Sequence, residues 1–552
     1  MKNRHVYLFV AFILGLSNFS VGQDNNWEWT RAFGGHGADE IMSACADAYG
    51  NIYVAGYFQD EIDIDGIVLK SNGDNDILIA KFSKQGNLIW AKKAGGNYSE
   101  NLIISEYAKK IKLDNEGNLI VAGCFMWEAD FDGHTVQGPG NSDIFIAKYT
   151  TSGSLLWAKA YGSKEHDYLF DMDIDDNSIF ITGQLTGPFI SNGKDDDTSS
   201  RIFNIETGTT PFIASFDLEG DLKWVRRDVG KVDKTLLASD NNNLYYALEF
   251  SSDLLIENVL HQTFRNKDFI IQCLSKQGNL VWERKFSSEN NERIESIEAD
   301  KKGSLLISGK YGNIPELKST RSENQAMNED TYFSKIGMDG SISWTENNSG
   351  PGYPGGTKIS SFNENTYFSV DVYSKPVTIC GVELIPEGKW HNSYLAFHDS
   401  KGRINEIMAN VPGIIKEVIP VNKTDFLIIG NYLSSACFLY DKNTEGGFID
   451  FFMGMRKLPE TKNLTIVPIG IAPFEFEVTL SPNPTSDYCT VKVGNISNVD
   501  EIIVADMNGK VINHYFSCET PLQMAIGDLA RGAYFISVKY QGMVVIKKLV
   551  IE

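Results

Sequence analysis

The chain has few cysteines, few histidines and no long apolar run beyond its first residues, and each shortage narrows its possible functions. Seven cysteines and eight histidines are spread over 552 residues without CxxC pairs or metal-ligand spacing, so neither a disulfide framework nor a zinc site is predicted. No later segment is apolar enough to cross a bilayer as a helix. Acidic residues outnumber basic ones by 72 to 50, and a net charge of −22 argues against nucleic-acid partners.

The cysteines are expected to be mostly free and buried. Cys124, Cys273 and Cys437 lie within apolar, strand-like runs, where a thiol behaves as a small hydrophobic side chain. Cys489 and Cys518 are the one pair for which a disulfide stays open. The chain also contains no nucleophile elbow, HExxH, P-loop or dinucleotide fingerprint, so no cofactor and no catalytic residue is predicted.

The first 22 residues have the pattern of a secretory signal peptide. Lys2 and Arg4 precede an apolar stretch at 7–16, and small residues place the cleavage site between Gly22 and Gln23. An N-terminal anchor helix is the alternative, but the apolar stretch is shorter than the roughly 20 residues that span a bilayer. We therefore expect an exported mature chain with no transmembrane segment.

The abundant feature of the chain is a repeated strand pattern. A phrase made of an apolar run, a glycine turn and a second run ending on tryptophan occupies residues 76–90 and returns four more times. A second phrase closes at seven near-equally spaced positions, which are 56, 123, 183, 248, 309, 370 and 430. Four short strands fit each repeat. The sequence therefore predicts an all-β fold containing a seven-bladed β-propeller, with six or eight blades as alternatives.

Two resemblances support this prediction. The loop at 34–40, with two glycines followed by Asp39 and Glu40, and the strand phrase at 47–56 resemble the bacterial β-propeller repeat over roughly 400 residues. That resemblance is weak in the last two units, where Glu406 stands in place of tryptophan. The spacing of residues 80–90 also resembles the tryptophan-docking motif of quinoprotein propellers. It implies that each tryptophan packs between neighbouring blades, but two motif residues differ and quinone binding does not follow.

The closure of the ring follows from an unpaired strand. The run from Trp29 has no hairpin partner before it, so residues 27–33 are expected to form the outer strand of the last blade, beside 436–440. The competing candidate for that place beside 436–440 is the segment 448–453. The propeller is expected to occupy residues 23–445, followed by a linker at 446–473.

The last 79 residues, 474–552, show about seven short strands with turns between them, which predicts a small immunoglobulin-like β-sandwich. This stretch resembles the type A C-terminal sorting domain of the type IX secretion system of Bacteroidetes. The residues that carry the resemblance are Pro482, Asn483, Pro484, Asp506, Gly509, Gly532, Tyr534, Lys547 and Lys548. It implies contact with the type IX secretion machinery and export through the periplasm to a secreted or outer-membrane surface-attached location.

Loops between each tryptophan strand and the next strand are predicted to project from one face of the disc, where propeller ligands commonly bind. The candidate ligand-binding residues on this face are His36, Asp39, Glu40, Glu100, His166, Asp167 and Tyr353. The acidic ones are alternatively turn caps. Two D-x-D-G phrases offer candidates for weak calcium sites, or otherwise ordinary turn residues, at Asp63, Asp65, Asp130 and Asp132.

These features together predict a secreted or cell-surface binding or adhesion scaffold without catalysis of its own. Its ligand is expected to be an extracellular glycan or protein. The alternative is a propeller-based glycan hydrolase or lyase with a carboxylate pair on the loop face. Two carboxylates within about 5–10 Å of each other in a deep central pocket would favour the enzyme.

Overall fold

The chain is described by a computed structural model. The residues that it describes are 27–35, 37–96, 106–191, 194–195, 208–263, 266–300, 302–311, 317, 330–348, 358–363, 366–373, 377–379, 382–384, 392–422, 425–432, 450–457, 478–493, 498–506, 510–527, 529–540 and 543–551. They fall into two compact units, one within residues 23–470 and one within 471–552. The expected signal peptide and its cleavage site at Gly22 and Gln23 lie outside the described residues.

The first unit consists of seven antiparallel sheets of four strands each, counted over the described residues. Their strands, from first to fourth in hydrogen-bonding order, are Glu40–Ala46, Ile52–Ile64, Ile67–Phe82 and Leu88–Gly95 in sheet 1; Tyr107–Leu113, Leu119–Phe131, His134–Tyr149 and Leu155–Gly162 in sheet 2; Tyr168–Ile174, Ile179–Leu185, Thr210–Phe216 and Leu222–Arg227 in sheet 3; Lys234–Ser239, Asn243–Phe250, Asp268–Ser275 and Leu280–Phe286 in sheet 4; Arg293–Ala299, Leu305–Tyr311, Asp330–Ile336 and Ile342–Asn348 in sheet 5; Lys358–Asn363, Thr366–Tyr373, Asn392–His398 and Ile404–Pro412 in sheet 6; and Ile414–Pro420, Asp425–Tyr432, Asp450–Lys457 and Trp27–Gly35 in sheet 7.

Three short hairpins accompany these sheets. Their strands are Ile190–Ser191 with Lys194–Asp195, Leu254–Ile256 with Val259–His261, and Val377–Ile379 with Val382–Leu384. All of them belong to the connections between a second and a third strand.

The repeated phrases of the sequence have direct structural roles. In sheet 1 the Asp47 carboxylate accepts hydrogen bonds from the N–H groups of Tyr49 and Asn51, both at 2.9 Å. Gly50 completes this turn with a φ of 83°, a conformation that favours glycine. The second strand continues as Ile52–Ala55, four fully buried residues, because sheets on both sides cover it. The D-x-x-G-N phrase is therefore the tight turn between the first and second strands.

The seven sheets form a closed ring through their first strands. Each first strand contacts the first strand of the next sheet, and Ile414–Pro420 of sheet 7 contacts Glu40–Ala46 of sheet 1. Apolar cores fill the junctions between sheets. At the junction of sheets 7 and 1, the Phe33 ring lies 5.3 Å from that of Phe82 and 5.5 Å from that of Phe451, measured between ring centroids. The unit is a β-propeller, and its sheet count is compatible with the seven sequence repeats.

The ring closes as expected in one respect and differently in another. Trp27–Gly35 is the outer strand of the last sheet, as predicted. Its partner, however, is Asp450–Lys457, with Thr30 opposite Gly454, so the predicted pairing with residues 436–440 is wrong. Asp450–Lys457 also pairs with Asp425–Tyr432, which makes it the third strand of the sheet. Its apolar run Phe451–Phe452–Met453 is buried, so this part of the expected linker at 446–473 belongs to the propeller sheet. Residues 436–440 lie outside the described residues.

The predicted packing of tryptophan between sheets is confirmed. The Trp29 indole lies against Gly86 of the next sheet, and its N–H donates to the Lys84 carbonyl at 2.9 Å. The corresponding bonds run from Trp90 to Thr151, from Trp224 to Lys276 and from Trp282 to Met338. A side chain on the turn glycine would collide with the indole, which explains the glycine of the hairpin phrase. Each of these four tryptophans thus joins one sheet to the next.

Hairpin connections tie neighbouring sheets a second time. The strand Ile52–Ile64 extends beyond its own sheet, and its end pairs with the last residues of the preceding outer strand, with Gly34 opposite Asp63. The next sheet repeats this arrangement with Ala94 opposite Phe131. Ile190 and Leu255 make equivalent contacts to Gly162 and Val229. Strand pairing therefore covers edges that would otherwise be open.

The second unit contains a three-stranded and a four-stranded antiparallel sheet. The strands, in hydrogen-bonding order, are Val478–Ser481, Tyr488–Val493 and Leu522–Ala525 in one, and Val511–Glu519, Asn498–Asp506, Gly532–Tyr540 and Met543–Ile551 in the other. Both sheets contribute to one apolar core, for example through Val491 and Ile536, which are fully buried. Two sheets around one core are compatible with the small sandwich expected here.

Five cysteines lie in the described part of the chain, and all five are free: Cys45, Cys124, Cys273, Cys489 and Cys518. The disulfide left open between Cys489 and Cys518 is therefore not formed. No helix in the described ranges is long and apolar enough to cross a membrane.

Candidate functional site

The central channel of the ring is lined by residues of all seven first strands. Its cavity has a volume of about 350 Å³. Serine, lysine and carboxylate side chains dominate the lining, which includes Ser43, Lys112, Asp173, Ser239, Ser296, Glu298, Lys358, Ser360 and Glu417. First strands line the channel because they are the innermost strand of each sheet.

The charges in the channel are held in ion pairs between neighbouring sheets. Lys112 lies 3.1 Å from Asp173, and Lys358 lies 3.1 Å from Glu417. The Asp173 carboxylate raises the pKa of Lys112 above its ordinary value, so this lysine stays charged at neutral pH. These pairs hold the channel side chains in defined positions.

Glu298 is a channel carboxylate that accepts hydrogen bonds from two serines of the neighbouring sheet. The Ser360 hydroxyl donates to it at 2.7 Å, and the Ser361 N–H and hydroxyl both donate at 2.9 Å. Burial raises the pKa of Glu298, and these hydrogen bonds oppose that effect. Its protonated form is consequently more populated than that of an exposed glutamate.

The structure places the predicted loop-face residues in very different environments. Asp39 and Asp167 are fully buried, whereas His166 is exposed. Glu40 is half-buried and accepts hydrogen bonds from Lys416 at 2.6 Å and from the Tyr57 hydroxyl at 3.1 Å. The remaining three candidates, His36, Glu100 and Tyr353, lie outside the described residues.

Asp39 belongs to a clamp that recurs in three sheets. Its carboxylate accepts the N–H of Gly35 at 2.5 Å and that of Gln59 at 3.3 Å. The carboxylate therefore links the preceding outer strand to the second strand of its own sheet. Equivalent bonds are made by Glu106, with Gly96 and Met126, and by Asp167, with Ser163 and Thr186.

A second buried carboxylate faces this clamp at several junctions. It comes from a third strand, and the buried residues at this position are Asp76, Asp143, Asp268 and Asp450 in sheets 1, 2, 4 and 7. Sheet 5 has Asp330 at the equivalent position of the sequence. Glu106 Oε2 and Asp76 Oδ1 lie 2.5 and 3.0 Å from the position that a Cβ on Gly95 would occupy. Asp143 and Asp167 crowd Gly162 in the same way. Glycine is required where the two carboxylates meet.

Burial governs the protonation of these pairs. It raises the pKa of Glu106 to about 8, with the charge of Asp76 adding to the effect. It likewise raises the pKa of Asp143 to about 8, with a contribution from Asp167, and that of Asp450 to about 7, with a contribution from Asp39. Sequence reasoning singled out Asp39 and Asp167 but missed their partners. The signal was present as an aspartate six or seven residues before the end of the third strand in five of the seven sheets.

The D-x-D-G phrases form the tips of the extended hairpins. Asp63 accepts the N–H of Gly66 at 2.7 Å, and Asp65 has a φ of 50° within this turn. Asp130 accepts the N–H of Gly133 at 2.9 Å, and Asp132 binds Lys92 at 2.8 Å. Within the described ranges, no group of three or more His, Cys, Asp or Glu side chains is placed to hold a metal ion.

In the second unit, residues of the predicted sorting signal connect its strands. The Asn483 side chain donates to the Lys548 carbonyl at 2.8 Å and accepts the N–H of Val550 at 2.9 Å. The Tyr534 hydroxyl donates to the Ala530 carbonyl at 2.9 Å. The other signal residues are Pro482 and Pro484, which are exposed and flank Asn483; Asp506, which accepts the N–H of Lys510; Gly532, which begins a strand; and Lys547 and Lys548, which are exposed on the last strand. Gly509 lies outside the described residues.

Residues 479–552 match the family described as the secretion system C-terminal sorting domain. This part of the chain is a type IX sorting domain. The sorting domain implies interaction with the secretion machinery and export to a secreted or outer-membrane surface location. It leaves the ligand of the propeller unassigned.

Two curated proteins are similar to part of the chain. An uncharacterized WD repeat-containing protein of Acanthamoeba polyphaga mimivirus is 23% identical over 229 residues, which are 36% of this chain and 16% of that protein. The regulatory protein FlaEY of Caulobacter vibrioides is 24% identical over 193 residues, 34% of this chain and 20% of that protein. The chain thus spans a fifth or less of the length of these two relatives.

Two solved structures are also similar. The Dos1 propeller aligns at 8% identity with a TM-score of 0.36, covering 78% of this chain and 96% of that one. The acylaminoacyl peptidase of Pyrococcus horikoshii aligns at 11% identity with a TM-score of 0.37, covering 85% of this chain and 59% of that one. Similarity at this level gives no information about activity.

Proposed function

We propose that the chain is an exported binding scaffold, a propeller that presents a ligand site outside the cell without catalysis of its own. The sorting domain supports export, and passage through the periplasm is part of the proposal. The observation that supports binding is the channel, where side chains from all seven sheets converge on one cavity. Its ligand is an extracellular glycan or a protein segment.

The channel suits a polar ligand. The ion pair of Lys112 with Asp173 and that of Lys358 with Glu417 hold charged groups in place before any ligand arrives. Preorganised side chains lose little conformational entropy on binding. Serine hydroxyls between these pairs can donate to and accept from the hydroxyl groups of a sugar.

A glycan hydrolase or lyase is the second candidate, and Glu298 is the observation that favours it. A channel carboxyl whose pKa is raised by burial has the property that a general acid requires. The carboxylate pairs at the sheet junctions do not support this candidate, because Asp39, Asp143, Asp167 and Asp450 are fully buried and do not line the channel. Among channel carboxylates, Asp173 and Glu417 are already paired with lysines.

A polysaccharide array scored for both binding and product release distinguishes the two candidates. The scaffold predicts binding without product from the full chain and from Glu298→Gln. The hydrolase or lyase predicts product from the full chain, lost in Glu298→Gln while binding persists.

The double variant Lys112→Met with Asp173→Met tests the location of the site. It removes an ion pair without leaving a lone buried charge, and we expect ligand affinity to fall at least about tenfold. The matched control is Lys92→Met with Asp132→Met, which removes a rim ion pair of 2.8 Å far from the channel lining. Equal affinity in both double variants would place the ligand outside the channel.

A further inference from the structure

In the described ranges, the buried carboxylate pairs at two sheet junctions have an oxygen atom without a hydrogen-bond partner and make no ion pair with a lysine. At the junction of sheets 7 and 1, Asp450 lies against Gly34 and Asp39 lies against the adjacent Gly35, and neither oxygen of Asp450 has a partner among the described residues. At the junction of sheets 2 and 3, Asp143 faces Asp167, and Oδ1 of Asp143 has no partner in the described ranges. All four side chains are fully buried.

Other junctions of the same ring show how such a pair is balanced. The third residue after the tryptophan is Lys93 in sheet 1, and its ammonium lies 3.4 Å from Asp76. In sheet 4 the equivalent Lys285 lies 3.5 Å from Asp268. In sheet 3 the equivalent Arg227 donates at 2.9 Å to Thr210, which takes the place of the aspartate. A positive side chain therefore accompanies the buried group at each of these three junctions.

The two junctions without such a lysine or arginine have alanine at the same position, whereas Asp76, whose Oδ1 also lacks a hydrogen-bond partner in the described ranges, is balanced by the ammonium group of Lys93. Ala32 precedes the junction of sheets 7 and 1, and Ala160 precedes that of sheets 2 and 3. Two carboxylates buried at one junction repel each other, so both are charged only where a cation compensates them, and the charge of Arg227 provides part of this compensation by lowering the pKa of Asp167. The methyl group of alanine leaves space where the lysine side chain lies in the other sheets.

We propose that each of these two junctions binds one calcium ion, held by Asp39 with Asp450 and by Asp143 with Asp167. A hard, divalent cation matches two carboxylates in charge and donor type, and calcium accepts the irregular oxygen geometry of such a site. Backbone oxygens lie close by. The Glu61 carbonyl is next to Gly35, and the Ser163 and Glu165 carbonyls are next to Gly140, whose N–H binds Asp143 at 3.0 Å.

The test is a calcium titration of the full chain after treatment with a chelator. Elemental analysis after dialysis against calcium is expected to find about two ions per chain, and 1 mM calcium is expected to raise the melting temperature by several degrees. In Asp143→Asn with Asp450→Asn, both the ions and the shift are expected to disappear. Asp65→Asn with Asp132→Asn, in the exposed hairpin turns, serves as the control and is expected to retain both.

A gain-of-charge pair of variants tests the role of the alanines. Ala32→Lys and Ala160→Lys, made singly, place an ammonium group where Lys93 lies in sheet 1, so each is expected to bind one ion fewer while remaining folded. If these lysine variants fail to fold, the asparagine double variant tests the proposal, because asparagine has nearly the same shape as aspartate. Calcium content of zero in the full chain would overturn the proposal. Retention of both ions by the asparagine double variant would overturn it as well. So would a chelated chain that is stabilised by acid and unaffected by calcium, because that result indicates a proton shared by the two carboxylates.

Discussion

At the scale of single residues, the buried acids determine which backbone atoms can approach one another. Glu106 and Asp76 occupy the space beside Gly95 that any larger residue would fill. The Glu106 carboxylate also accepts a hydrogen bond from the N–H of Gly96, so the two adjacent glycines have different roles. Gly95 leaves room for the two carboxylates, and Gly96 supplies a hydrogen-bond donor. This explains the double glycine in the loop phrase.

Replacing the first of these glycines is expected to be costly. In Gly95→Ala, the new Cβ would lie 2.5 Å from Glu106 Oε2, and the backbone has a φ of 155°. We expect a loss of about 2–4 kcal/mol in the free energy of unfolding, measured by urea denaturation. The control is Gly73→Ala, where nothing lies within 4 Å, and a change within about 0.5 kcal/mol is expected. Equal effects of the two substitutions would contradict the crowding argument.

The pH dependence of stability should report the buried carboxyl of Asp143. Its folded-state pKa of about 8 exceeds the unfolded value of about 3.9, so the folded state holds this proton more tightly. The associated stability is present at acid pH and is lost as pH rises from about 4 towards 8. In chelator, Asp143→Asn is therefore expected to gain about 1–3 kcal/mol relative to the original chain between pH 5 and pH 8.

The contribution of His398 to stability changes with pH in the opposite direction, and it must be separated from that of Asp143. Burial lowers its pKa to about 4, so it contributes stability that is lost as pH falls from about 6.5 to 4. The comparison with Asp143→Asn cancels this contribution, because His398 is present in both proteins. Parallel pH profiles of the two proteins would contradict the assignment to Asp143.

The buried carboxylate pairs also show which contacts could not be predicted from the sequence. Asp39 was identified because it lies in a repeated loop phrase, but a loop position says nothing about burial. Its partner Asp450 lies more than 400 residues away in the chain and becomes a neighbour only when the ring closes. Residues 39 and 450 cannot be paired from local pattern alone.

At the scale of elements, the hairpin phrase and its tryptophan could be predicted because both act locally. Strand, glycine turn and strand follow from apolar periodicity, and the packing of the indole was implied by the resemblance of residues 80–90 to the tryptophan-docking motif of quinoprotein propellers. The last strand pair could not be predicted in the same way. Asp450–Lys457 carries no tryptophan phrase after it, and its partner Trp27–Gly35 begins the ring.

Trp29 tests the closure of the ring. In Trp29→Ala, the contact with Gly86 and the hydrogen bond to the Lys84 carbonyl are lost. Because the indole is half-buried, we expect a loss of about 2–4 kcal/mol, somewhat below the cost for a fully buried tryptophan. Ile89→Ala is the control, since Ile89 is 48% exposed on an outer strand and should change stability by about 0.5 kcal/mol or less. A melting temperature unchanged in Trp29→Ala would contradict its role in closure.

At the scale of the whole molecule, the two units have separate cores. Among the residues that the structure describes, the apolar clusters of the propeller contain no residue beyond 457, and the cluster of the sorting domain contains only residues after 477. Neither core needs side chains from the other to be filled. Function can therefore be divided between the units, with binding proposed for the propeller and export for the sorting domain.

Removal of residues 474–552 tests this division. The truncated chain is expected to keep the melting temperature and strand content of the propeller, because every core cluster of the first unit remains intact. Without the sorting domain it should be absent from the cell surface and the medium, and it should accumulate in the periplasm. Fractionation of the cells with detection of the propeller measures both.

The matched control keeps the whole chain and carries Val511→Ala, a substitution at an exposed position of the sorting domain. If the truncated chain reached the surface in the same amount as this control, the sorting domain would not be what directs export. If it were unfolded in the periplasm, the two cores would not be independent.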